Sequence, residues 1–266
     1  MKMTKNSFIG LTTTFLFLAT AFLVNADNKK EAAVHGNKGN ELAQAAKYDD
    51  AIVEFTAAIN LSPKDERLYA DRGRVYRAAA KITEAMADFA KVIELAPKSE
   101  VGYLERGQTL MIQNAYDQAL LDYNKAVEIN PANPIGYDRR GFAYYSMQQY
   151  QEAIKDYSTS IEKKPDNPTT FNRRADAYVG LGQFAQALPD LEMALKLKPD
   201  DFDTTQRIAF VKAKLAPPPP RLAPHSPVPT PPPPPPGLSI RTKIGIGIGA
   251  LVIIIIIAVL LLRRKS

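Results

Sequence analysis

Residues 69–97 read YADRGRVYRAAAKITEAMADFAKVIELAP, and two helices can be read off them. Tyr69, Gly73 and Tyr76 share one face of the first, and Ala85, Phe89 and Val92 share one face of the second. Spacings of four and three follow the period of a helix, not the alternation of a strand. Pro97 then prevents the second helix from running on, because proline has no N–H to give and its ring clashes with the preceding turn.

The stretch is one copy of a larger pattern. Pro63, Pro97, Pro131, Pro165 and Pro199 each lie 34 residues after the last, and a fixed period of this size marks a repeat array. With proline at position 32 of the unit, five units begin at Ala32, Glu66, Glu100, Pro134 and Pro168. Position 20 is then always alanine (Ala51, Ala85, Ala119, Ala153, Ala187). Position 8 is Gly39, Gly73, Gly107, Gly141 and Ala175, and position 24 is Phe55, Phe89, Tyr123, Tyr157 and Leu191. Small residues let the two helices of a unit approach closely, while the large ones fill the space between them.

This pattern resembles the tetratricopeptide repeat family over residues 32–200. The resemblance implies an all-α fold: a right-handed superhelical solenoid of five 34-residue helix-turn-helix repeats, at 32–65, 66–99, 100–133, 134–167 and 168–201. Each pair leaves apolar surface bare, so neighbouring pairs stack. Residues 202–215 read as a capping helix, with Phe202, Ile208 and Val211 available to cover the last repeat. Two units depart from the pattern. His35, Gly36 and Gly39 predict a first helix that frays in repeat 1, and Pro189 predicts a kinked or loosened second helix in repeat 5.

The two ends are hydrophobic for different reasons. Residues 1–26 carry Lys2 and Lys5, an apolar stretch from Phe8 to Val24 and the small-residue pattern Val24-Asn25-Ala26, as in a signal peptide cleaved after Ala26. An uncleaved anchor is the alternative. Residues 244–262 form an apolar run that, at about 1.5 Å per residue, spans roughly 28 Å, the thickness of a bilayer core. With an export signal upstream, this transmembrane helix leaves the repeats extracytoplasmic and the tail at 263–266 cytoplasmic. Gly245 and Gly249 lie on one face of it and allow two copies to pack as a homodimer. Between array and span, residues 216–237 hold most of the 21 prolines and form an extended proline-rich linker of roughly 60 Å.

Composition excludes several function classes. The formal net charge is +6, but the two ends hold seven bases and no acid. Residues 27–236 keep 27 bases against 28 acids, so the body lacks the electrostatic footprint of a nucleic-acid binder. The absence of cysteine removes disulfides, thiolate metal sites and cysteine nucleophiles. His35 and His225 sit in a repeat and in the proline tract, and general-base work needs a positioned partner that the sequence does not point to; nor does the sequence contain a His or Cys cluster for a metal. The glycines of GIGIGA (245–250) open an apolar helix and follow prolines, which makes them a decoy for a nucleotide loop. No cofactor is expected, and the chain reads as a non-enzyme.

One polar pair recurs in every unit. Position 7 is Lys38, Arg72, Arg106, Arg140 and Arg174, and position 23 is Glu54, Asp88, Asp122, Asp156 and Asp190. Acid and base recurring together at one phase predict an ion-pair ladder between the helices of each unit.

Resemblance to the family also implies where a partner binds: the first helices line a concave groove, through positions 2, 5, 9 and 12. Those positions give a basic end (Arg67, Arg74, Arg77), an apolar floor (Val101, Leu104, Met111, Ile135, Phe142, Tyr145) and acids toward the far end (Asp138, Asp176). The expected occupant is a protein or peptide partner; a capping helix or a second copy over the same residues is the alternative. A subclass of the family grips acidic chaperone tails through five polar residues, and the equivalents here are Ala70, Arg74, Glu105, Ile135 and Arg139, so that clamp is absent. The function expected is a non-catalytic interaction scaffold tethered to a membrane. An accessory subunit of an envelope enzyme complex and a two-span protein with cytoplasmic repeats are the alternatives.

Overall fold

Helix starts in this chain are written into residues at positions 34 and 1 of the units. Asp65, Asn133 and Asn167 cap the helices that follow, each side chain accepting a hydrogen bond from a backbone N–H: Arg67, Ile135 and Thr169 respectively. Pro134 and Pro168 occupy the first helical turn, where a missing N–H is harmless. The computed structural model describes residues 27–217. Over these it forms α1 (27–44), α2 (Tyr48–Leu61), α3 (Glu66–Ala78), α4 (Ile82–Leu95), α5 (Val101–Ile112), α6 (Tyr116–Ile129), α7 (Pro134–Ser146), α8 (Tyr150–Lys163), α9 (Pro168–Gly180), α10 (Phe184–Leu197) and α11 (Phe202–Leu215). The described residues contain no strand.

Each pair turns through one left-handed residue. Ala46, Ala80, Asn114 and Gln148 have φ of 57°, 59°, 58° and 60°, and Gly182 has 71°. All five stand at position 15 of their units. In repeat 2 the Ala80 N–H donates to the Arg77 carbonyl and the Lys81 N–H to the Tyr76 carbonyl, a Schellman closure that recurs in every repeat.

The core is one large residue at position 24 lying against one small residue at position 8. A Cβ on Gly73 would sit 2.6 Å from Phe89, and one on Gly107 2.6 Å from Tyr123. Phe55, Phe89, Tyr123 and Tyr157 are buried in consequence. Repeat 5 solves the same problem with the volumes exchanged: Ala175 adds a methyl and Leu191 lacks the ring, and both are buried.

The ion-pair ladder is present. Arg72, Arg106, Arg140 and Arg174 grip Asp88, Asp122, Asp156 and Asp190 through two nitrogens each, at 2.7 to 2.9 Å. Lys38 meets Glu54 at 2.6 Å. Three of the arginines also donate to position 25 of the preceding unit (Thr56, Asn124 and Ser158), stitching repeat to repeat. Arg106 faces Ala90 at that place, which has nothing to accept with.

The architecture is an all-α solenoid in which each helix from α2 packs on the next, and α3, α5, α7 and α9 also touch side by side. Three local expectations are corrected. Residues 27–44 are continuously helical despite Gly36 and Gly39, because His35 Nδ1 and Lys38 both bind Glu54 at 2.6 Å and the two glycines press on Leu68 and Phe55. Helix α10 runs through Pro189 without interruption. Pro189 and Ala185 both face solvent, so water can take the freed carbonyl while Ala187, Leu191 and Ala194 hold the inner face. Phe202 does not cover the last repeat but is 71% exposed. It lies nine residues before the buried Val211, half a turn round the helix. Thr204 takes its place, exchanging hydrogen bonds with Asn172.

Among the described residues no helix is long and apolar enough to cross a membrane. The expected signal peptide (1–26), the linker beyond residue 217, the span (244–262) with Gly245 and Gly249, and the tail (263–266) lie outside the described residues.

Candidate functional site

The first helices α3, α5, α7 and α9 bring one residue each from positions 2, 5, 6, 9 and 12 onto a common surface. Position 6, absent from the groove positions expected from sequence, does much of the electrostatic work. Glu105, at position 6 of α5, accepts from Arg74 at 2.8 Å and from Arg77 at 2.7 Å. Burial raises the Glu105 pKa, yet the hydrogen bond from Arg74 and the charge of Arg77 outweigh it and hold the carboxyl below its usual range. The expected basic end is therefore largely neutralised. Arg67 turns back on its own cap, Asp65, at 2.8 Å, and Arg77 lies 5.3 Å from the centroid of Phe89.

The acidic end is neutralised in the same way. Asp138 accepts from Arg173, position 6 of α9, and from Thr170 at 3.0 Å. Asp176 meets Arg207, position 6 of α11, at 3.1 Å, and burial pushes its carboxyl up. These pairs lie about one unit apart in sequence, 31 residues for Arg74 to Glu105 and 35 for Asp138 to Arg173. Comparing charges one period apart would have revealed them.

Of the expected apolar floor, Ile135 and Phe142 are open, at 50% and 40% exposed. Leu104 is not: it is 9% exposed and belongs to the core with Leu110 and Tyr123. Val101 and Met111 are half-buried, Met111 against that core. Tyr145 meets Tyr150 with ring centroids 5.5 Å apart and planes tilted by 60°, and burial raises the pKa of its hydroxyl. Beneath this floor lie two tyrosine hydroxyls. Tyr123 is pushed up to about 12 by burial, partly offset by the neighbouring Arg139. Among the described residues the Tyr157 hydroxyl has no hydrogen-bond partner, because Arg173, the equivalent of Arg139 one unit later, is drawn to Asp138. At the start of the row a cavity of about 980 Å³ opens between α1 and α3, with Asn37, Asn40, Arg67 and Asp71 among its walls. It exists because positions 2 and 5 of α1 are Ala33 and Gly36.

Among the described residues no group of three or more His, Cys, Asp or Glu is placed to hold a metal ion. The surface offers paired charges, two exposed apolar side chains and hydrogen-bonding amides, which are means of holding another molecule.

Comparisons with known proteins agree with this geometry. Family models described as TPR repeat match residues 107–148 and 141–182, and models described as tetratricopeptide repeat match 37–100 and 168–201. Together they span more than half of the chain. A search of curated proteins found no match. Among solved structures, TTC0263, a thermophilic TPR protein of Thermus thermophilus, is 20% identical with a TM-score of 0.57, covering 68% of this chain and 99% of that one. MamA from Desulfovibrio magneticus RS-1 is 17% identical with a TM-score of 0.56, covering 65% and 97%. YrrB, described as a TPR protein with an unusual peptide-binding site, is 21% identical with a TM-score of 0.52, covering 68% and 93%. At these identities the likeness shows the fold. The unbroken 34-residue period, the close contact of positions 8 and 24 and the matching family models have one reading: the chain belongs to the tetratricopeptide repeat family, whose repeat is generally a non-enzymatic scaffold for protein interaction.

Proposed function

We propose that this protein is a membrane-tethered, non-catalytic scaffold that gathers a peptide or protein partner on the row of its first helices. The observation that carries the reading is the pair Ile135 and Phe142, large apolar side chains that stay exposed, the latter beside the Arg173 guanidinium, on a row whose joints other than α5 to α7 are crossed by ion pairs. Exposed apolar side chains on a rigid surface rimmed by polar groups suit a partner. YrrB, a protein of like fold, is described as having a peptide-binding site, which supports a peptide as the kind of partner. The tether rests on sequence: the export signal ending at Ala26, the proline-rich linker and the apolar run at 244–262.

A photo-crosslinking residue in place of Phe142, in the full chain in its own cells, tests the partner. One specific adduct is expected, and it should be lost when Ile135→Ser is added. No adduct, or an adduct indifferent to Ile135, would sink the reading. Mass spectrometry of the mature N-terminus tests the tether separately: a chain beginning at Asp27 supports export, and an intact Met1 supports the two-span arrangement.

A further inference from the structure

Phe202 lies 34 residues after Pro168, so α11 stands where the first helix of a sixth unit would, and Ala209 is its position 8. In the five units that small residue is covered by position 24 of the same unit's second helix. Among the described residues no second helix follows α11, and Ala209 is exposed. At about 100° per residue, Phe202, Gln206, Ala213 and Ala216 share the face of Ala209, opposite the buried Thr204 and Val211. All five are exposed, Phe202 the most openly at 71%.

This face fits its own reverse. Turned end for end about Ala209, a second α11 sets its Ala213 and Ala216, four and seven residues after the pivot, over Phe202, seven residues before it. A ring again meets small side chains, and alanine on alanine at the pivot lets the two helices come close. Charge obeys the same reversal. Asp203 stands six residues before the pivot and Lys214 five after it, on one flank of the face, so each copy brings an acid to the other's base. The ion pairs of α11 among the described residues are Arg207 to Asp176 and Lys212 to Glu192, which leaves Asp203 and Lys214 available. Two copies running in the same direction would set acid beside acid and base beside base.

We infer that the exposed face of α11 is a self-association surface, on which two copies of this chain pair in opposite directions about a two-fold axis at Ala209. The contact lies on the stacking side of α11, where a second helix would sit, and does not involve Ile135 or Phe142, so it stands or falls apart from the partner reading. One helix face is smaller than the about 1,200 Å² of a standard interface. The pairing is therefore weak in dilute solution and gains from anything that holds copies close together, as the proposed membrane tether does.

The test is disulfide trapping of the full-length protein in detergent. The chain has no cysteine, so a single introduced thiol can be bridged only to a second copy, and only where the Cα atoms come within about 7 Å. Under mild oxidation Ala209→Cys should form covalent dimer several-fold faster than Gln151→Cys, an exposed position on α8. That control sets the rate for copies held together elsewhere, pairing through Gly245 and Gly249 included. Gln206→Cys and Ala213→Cys should cross-link when mixed and hardly at all alone, because reversal brings each beside the other and carries it away from its own copy. Adding Lys214→Glu to Ala209→Cys should slow trapping several-fold, and adding Asp203→Lys as well should restore it, which guards against a folding defect. Equal rates at positions 209 and 151 overturn the inference and leave the face to a different partner. So does cross-linking of Gln206→Cys alone as fast as in the mixture, which means same-direction pairing, or trapping indifferent to Lys214→Glu.

Discussion

Position 15 shows how the repeat tolerates local cost. Four of its five occupants, Ala46, Ala80, Asn114 and Gln148, hold a left-handed backbone without being glycine. Such a conformation costs roughly 1–2 kcal/mol for an alanine, while glycine loses about 0.5–1 kcal/mol more backbone entropy on folding. The conformational term wins by a small margin. Ala80→Gly is therefore expected to raise stability by about 0.5–1 kcal/mol, seen as a higher urea midpoint at an unchanged slope. A midpoint that falls would mean that the turn is not strained at Ala80. Nothing along the chain warns of these turns, because left-handed residues are recognised by glycine and only Gly182 supplies one.

Between helices, the unit of design is a pair of volumes and not a residue. Gly107 exists because the Tyr123 ring occupies the place where a Cβ would stand, and Ala175 is allowed because Leu191 has no ring. Leu191→Phe should then overpack repeat 5 and cost about 1–3 kcal/mol. Adding Ala175→Gly should recover a large part of that loss by recreating the arrangement of the other four repeats. Thermal melting of the two single variants and the double variant checks this: additive losses would show that the two positions do not share one space. Helix α11 follows the same logic from the outside. It offers Val211 and Thr204 to the last repeat and leaves Phe202 and Phe210 open, so the array ends on a helix with one inner face.

At the scale of the molecule, cross-helix pairs tie the row of first helices together at every joint from α3 to α11 except that between α5 and α7, where Arg139 stands. Glu105 serves two arginines, and its carboxyl is held below its usual range. A depressed carboxylate contributes stability that is fully present above its unfolded pKa and is lost as pH falls through its lower folded value. Glu105→Gln should thus be less stable than the native chain at neutral pH, and the gap should close on acidification below about pH 4. Unfolding midpoints across that range check it; a gap that persists at low pH would mean that Glu105 acts through packing and not through charge.

The sequence by itself determined the architecture. Prolines in register, alanine at position 20 and the exchange of small and large residues at positions 8 and 24 are local signals repeated five times, and the ladder at positions 7 and 23 follows from the same register. What tertiary structure decided is which charges remain available. Arg74, Arg77, Asp138 and Asp176 look free along the chain, and each finds its partner only when neighbouring first helices come side by side. Exposure was decided there too: Leu104 and Ile135 are both apolar first-helix residues, but one points into a core and the other does not. Periodicity assigns a residue to a helix face; the neighbour across that face determines whether its charge is cancelled or its surface covered.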